Sequence, residues 1–197
     1  MTSIAPLNQA APPTAPTPAH DPMGGAVKRP GTLTALLVTS VLSAVATAIG
    51  ALIVFAGGTG LAEENVKEVI EEQPDVVGLP AGTTAADIKE LTGPIWDAMI
   101  DDRAGTLTAR AVFALFTAVC VLVFALCVRK SAAVWARVLV TLSAVVAVFP
   151  HILILGDYEP DSVFLTSLLA LFATLAALVV CWLPGTNRFA KQLKSTA

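Results

Sequence analysis

Charge and aromatic side chains are both scarce in this 197-residue chain: 14% of residues are Asp, Glu, Lys or Arg, and 6% are aromatic. A soluble domain carries about 25% charged residues. With 55% hydrophobic residues and a mean hydropathy of +0.76, the chain departs from that norm toward the membrane. The composition disfavours a water-soluble globular enzyme. Cysteine is limited to Cys120, Cys127 and Cys181, all inside apolar runs, which excludes an extracellular domain stapled by disulfides. Histidine is limited to His20 and His151, so the His-Glu-x-x-His pattern that puts two imidazoles on one helical face for zinc cannot form. The pairs Glu63-Glu64 and Glu71-Glu72 lack the arginine four residues on that a paired-glutamate membrane protease uses, and no Gly-x-Ser-Gly string occurs. We expect no enzyme activity, no cofactor and no metal site. A net charge of −3 gives no reason to expect nucleic acid as a partner.

Proline is abundant only at the start. Residues 1–31 hold seven of the thirteen prolines, and proline removes backbone donors and blocks helix. Large apolar side chains are too few there to offset chain entropy, so the reading is a disordered Pro-rich cytoplasmic tail. Pro12-Pro13-Thr14-Ala15-Pro16 offers either a passive tether or a ligand for a Pro-recognising groove. The apolar run after Lys28-Arg29 is too long for the core of a cleaved signal peptide.

Four apolar stretches follow, at about 33–56, 109–128, 134–155 and 162–183, within a transmembrane domain of residues 32–184. Each has about 20 residues or more, enough at 1.5 Å per residue to cross a hydrocarbon core of about 30 Å. Lipid offers no partner to backbone polar groups, so the stretches are expected to be helices. The predicted fold class is an all-α membrane protein, a four-transmembrane-helix bundle with a short helical extracytoplasmic loop between helices 1 and 2.

Charge sets the expected orientation. Lys28 and Arg29, then Arg129, Lys130 and Arg137, then Arg188, Lys191 and Lys194 all fall on one side, with Asp21 the single acid there. The other side holds the acidic loop 57–108, with eleven acids against Lys67, Lys89 and Arg103, and the short connection carrying Asp157, Glu159 and Asp161. The positive-inside rule puts both termini, including the basic tail 185–197, in the cytoplasm of a plasma-membrane protein. Trp135, Trp182 and Tyr158 fall where aromatic side chains meet headgroups. Arg137, one turn into the third span, is read as snorkelling to the inner interface or, more sharply, as a buried gating charge.

Within the acidic loop, a helix is expected from Ala62 to Gln73, stopped by Pro74. Thr84 can cap a second helix with Asp87 three residues on, ending at Gly93. Pro94 opens a short third piece in which Ile95, Trp96, Met99 and Ile100 share a face suited to the outer headgroup plane. Glu63, Glu64, Glu68, Glu71 and Glu72 form either a solvated face, an electrostatic docking surface for a basic partner, or a weak divalent-cation site. Ser43, Thr47 and Ala51 repeat at i, i+4, i+8, a small-residue groove for packing within the bundle or for a homodimer. His151, after Pro150, is read as an external proton or metal sensor, or as an interfacial residue bonded to a carbonyl that the proline frees.

The Pro/Ala-rich tail, Lys28-Arg29-Pro30-Gly31-Thr32 opening span one, and Leu183-Pro184-Gly185-Thr186-Asn187-Arg188 closing span four resemble the small uncharacterised integral membrane proteins of high-GC actinobacteria. That resemblance covers the layout of the whole chain and implies no activity. The threading is also similar to claudins and tetraspanins, but the Trp/Cys signature of their outer loops is missing and nothing functional carries over. The expected role is a non-enzymatic interaction or accessory subunit, with the lipid bilayer and another membrane or envelope protein as partners and a homo-oligomer as one form. The alternative is a small transporter or channel component.

Overall fold

The computed structural model describes residues 30–131 and 133–196, with side chains through Lys191. The tail at 1–29, and with it the expectation of disorder, lies outside the described residues. Everything regular in them is helical: α1 Gly31–Glu72, a 3-10 turn Pro74–Val77, α2 Ala85–Thr92, α3 Pro94–Ser131, α4 Val134–Gly156, α5 Asp161–Cys181 and α6 Pro184–Thr196. Four of these, α1, α3, α4 and α5, are long and apolar enough to cross a membrane. Each of α1 and α4 packs on α3 and α5, so α1 and α4 stand diagonally across a four-helix bundle.

The side chains are distributed for lipid. Many interior positions are small: Ala136, Ala144, Ala170 and Ala177 are fully buried. The large side chains Leu52, Phe116, Leu142, Val145, Leu165 and Phe172 point outward, each more than half exposed. Water would not tolerate an apolar belt of that extent, whereas helices in lipid associate through small residues and turn large ones to the acyl chains. Ser43, Thr47 and Ala51 are buried on α1, and the Ser43 and Thr174 hydroxyls meet at 2.7 Å across the α1–α5 contact. Gly50 lets the two helices approach closely, since a Cβ there would lie 2.7 Å from Thr166 Oγ1.

The acidic end differs from the expected chain of short pieces. Helix α1 continues past the span to Glu72, bent at Gly58, whose φ of +51° favours glycine. The third piece is not a separate interfacial helix. Pro94 opens α3 itself, 38 residues and about 57 Å at 1.5 Å per residue. Trp96 and Ile100 are buried in a core with Ala62, Ile70 and Ala85, while Ile95 and Met99 of the same predicted face are exposed. The reason is geometric: the part of α1 beyond Gly58 lies beside α3, so that face meets protein instead of headgroups. Thr84 and Asp87 do form the reciprocal cap of α2.

One further expectation, the snorkelling of Arg137, is corrected at the basic end. The tail after span four folds as α6, with Phe189 buried against Leu33 and Leu36. Arg137 does not reach toward water; it is 2% exposed and donates to the Thr186 carbonyl at 2.7 Å and to Asn187 Oδ1. The start of α6 covers the position that a snorkelling guanidinium would occupy.

Candidate functional site

Arg103 and Arg110 stand two helical turns apart on one face of α3. Opposite them runs the α4–α5 connection with Asp157 and Glu159. Arg103 donates through Nη1 to Asp157 Oδ2 at 2.7 Å, through Nη2 to the Tyr158 carbonyl at 2.8 Å, and through Nε to Asn65 Oδ1 at 2.9 Å. Asn65, on α1 beyond Gly58, donates in turn to the Tyr158 carbonyl at 2.8 Å. Arg110 Nη1 bridges Asp157 Oδ2 at 2.5 Å and Glu159 Oε1 at 2.7 Å. Two cations and two anions balance, so α1, α3 and the α4–α5 connection are clasped without net charge.

Burial pushes the Asp157 carboxyl up, but the hydrogen bonds and charges of Arg103 and Arg110 outweigh it and hold Asp157 below the ordinary carboxylate value. Glu159 goes the other way, because its side chain is 1% exposed and desolvation exceeds what Arg110 returns.

Below the clasp, His151 is 1% exposed and lines a cavity of about 20 Å³, room for about one water, together with Arg110, Glu159, Thr47, Thr166 and Ser167. Its Nδ1 has no hydrogen-bond partner among the described residues. The ring therefore sits inside the bundle, and no bond from Nδ1 to a carbonyl freed by Pro150 is present.

Beyond the clasp the helices diverge around a hollow of about 470 Å³. Its walls are Val66, Val69 and Ile70 of α1, Val76 and Val77 of the 3-10 turn, Leu79, Ile88 of α2 and Met99 of α3. Asn65, Arg103, Asp157 and Tyr158 supply its polar side. A mostly apolar concavity with a few convergent polar groups is the usual form of a ligand or peptide site. A trough of about 140 Å³ adjoins it, lined by Glu68, Glu72 and Asp161, and shares Asn65, Val69 and Tyr158 with the hollow.

The five glutamates do not behave as one surface. Glu63 pairs with Lys67 at 3.0 Å and Lys89 at 3.2 Å, and these cations hold its carboxyl below the ordinary value. Glu64, Glu68, Glu71 and Glu72 are exposed. Partial burial, then the charges of Glu72, Asp161 and Glu64, push Glu68 up. No group of three His, Cys, Asp or Glu side chains suited to a metal ion occurs among the described residues.

Arg110 is the residue that sequence reasoning passed over. Its signal was present: a cation at the mouth of an apolar run needs a partner, and Arg103 seven residues earlier points the same way. The fold and the belt of large apolar side chains define a multi-pass membrane protein built on a four-helix bundle. No protein-family model matches the chain, and comparison with curated proteins and with solved structures finds no match.

Proposed function

We propose that the protein is a non-enzymatic interaction or accessory subunit of the plasma membrane, with both termini in the cytoplasm and the acidic end outside. The observation that carries this reading is the apolar hollow together with the side chains around it. Val76, Val77, Leu91 and Ile95 lie beyond the spans yet are 48%, 48%, 82% and 68% exposed. Leu91 and Ile95 stand one turn from Ile88 and Met99 of the hollow. Apolar surface kept outside the lipid zone marks a place where another protein sits. A transporter or channel component has less support, because the cavity around His151 has room for about one water.

The orientation rests on the three basic segments at one end. Alkaline-phosphatase fusions at Gly82 should be active and fusions at Lys130 inactive; the reverse pattern would overturn the topology. For the interaction itself, a photo-crosslinking residue placed at Val77 or Ile95 in living cells should give one reproducible adduct of defined mass. The same residue at the exposed Glu90 should give none. An adduct of two copies of this chain would make the subunit a homo-oligomer, and no adduct at Val77 or Ile95 would remove the interaction reading.

A further inference from the structure

We propose that the hollow and the adjoining trough form one two-part socket for a basic amphipathic segment of a partner protein, an apolar side chain entering the hollow and a Lys or Arg the trough. This rests on the interaction reading above and names the chemistry of the partner.

The occupant follows from charge. The hollow is carried on a segment, residues 57–108, with eleven acids and three cations. Two of those cations are already spent: Lys67 and Lys89 both bind Glu63. The third, Arg103, has Nε, Nη1 and Nη2 each donating to Asn65, Asp157 or Tyr158, so it offers no ready seat for a phosphate or carboxylate. An anionic lipid or fatty acid would therefore find no free cation in the hollow and would face Glu68, Glu72 and Asp161 at its edge. In the trough, Glu68, Glu72 and Asp161 have no ion-pair partner among the described residues. Partial burial raises Glu68 most, and the repulsion that Glu72, Asp161 and Glu64 add to it would be relieved by an incoming cation. Hollow and trough share Asn65, Val69 and Tyr158, so apolar and cationic groups on neighbouring positions of one short segment can enter both. That is the pattern of an amphipathic helix laid in a groove, with steering by complementary charge.

The test uses the full chain in phosphatidylcholine nanodiscs and a fluorescein-labelled amphipathic Leu/Lys peptide, read by anisotropy in excess of empty discs. A matched Leu/Glu peptide and the uncharged single-chain lipid monoolein are the comparison ligands. The Leu/Lys peptide should bind saturably and the Leu/Glu peptide should not. Affinity should fall about tenfold or more in the triple change Glu68→Gln, Glu72→Gln, Asp161→Asn, and also in about 0.5 M salt, where exposed charges are screened within a few ångströms. Val77→Asn should weaken binding from the apolar side without adding charge. The exposed trough residues make no ion pair or side-chain hydrogen bond among the described residues, so thermal stability of the triple variant should stay close to wild type. Binding of both peptides alike, or no loss in the triple variant, overturns the basic-segment proposal. Monoolein displacing the peptide equally well from wild type and triple variant reassigns the hollow to lipid. If Val77 crosslinks a partner in cells but the Leu/Lys peptide does not bind, the interaction reading stands and the basic chemistry fails; if Val77 crosslinks nothing, the interaction reading fails first.

Discussion

Replacing Arg110 with leucine should cost about 3 kcal/mol or more of stability, the low end of what removing one partner of a buried ion pair costs. The cost falls unevenly on the two carboxylates. Asp157 is 33% exposed in its side chain and keeps Arg103 at 2.7 Å, so it stays compensated. Glu159 is 1% exposed and loses its only ion-pair partner among the described residues. Its escape is to take up a proton, so the deficit of the variant should shrink as pH falls and the carboxyl neutralises. Wild type titrates in two opposed ways. Asp157, held low, contributes stability above its unfolded pKa that is lost as pH drops through its folded value. Glu159, raised, contributes below its unfolded pKa and loses that contribution as pH climbs through its folded value. Adding Glu159→Gln to Arg110→Leu removes the stranded charge and should recover most of the loss near neutral pH. Denaturation in mild detergent at acidic and neutral pH measures all of this. A loss under about 1 kcal/mol, or no rescue by the second change, would mean that the clasp is not a stabilising ion network.

The clasp also shows where the sequence was legible and where it was not. The four spans announce themselves, because a helix satisfies its own backbone in lipid but needs a long apolar run to sit there, and four of the described helices have one. The cap of α2 was legible for a different reason: Thr84 and Asp87 are local, and a capping box needs no tertiary partner. The continuity of α3 was hidden by Asp101, Asp102, Arg103 and Gly105, which together resemble a hydrophilic loop. Yet the buried apolar positions continue through Trp96, Ile100, Leu107, Ala111, Ala114, Ala118 and Val121, at steps of three, four and, once, seven. The one step of seven skips Arg103, which occupies the missing turn. Counting a cation as an interior position requires knowing that Asp157 lies opposite, and that fact is tertiary. Arg137 illustrates the same limit, since snorkelling is the local solution and α6 supplies a non-local one. The hollow was invisible because its walls come from α1, the 3-10 turn, α2 and α3 together with the α4–α5 connection.

The continuity of α3 yields opposite expectations for two changes at one residue. Gly105 lies in mid-helix and exposed, and a Cβ built there meets nothing within 4 Å. Gly105→Ala should therefore stabilise the protein by about 0.4–1 kcal/mol, through the reduced freedom of the unfolded chain and better helix propensity. Gly105→Pro should cost about 3 kcal/mol or more, because the ring removes a backbone donor and collides with the carbonyl four residues back. The kink would fall between Arg103 and Arg110, so the two guanidinium groups would no longer share the face that meets Asp157. Were residues 101–108 a loop, the alanine would gain little and the proline would be tolerated or even stabilising. Thermal unfolding of the two variants side by side, in one detergent, separates the cases: a rise for alanine with a steep fall for proline requires a helix that crosses from the acidic end into the bundle without interruption, and a neutral proline would break α3 at the membrane surface.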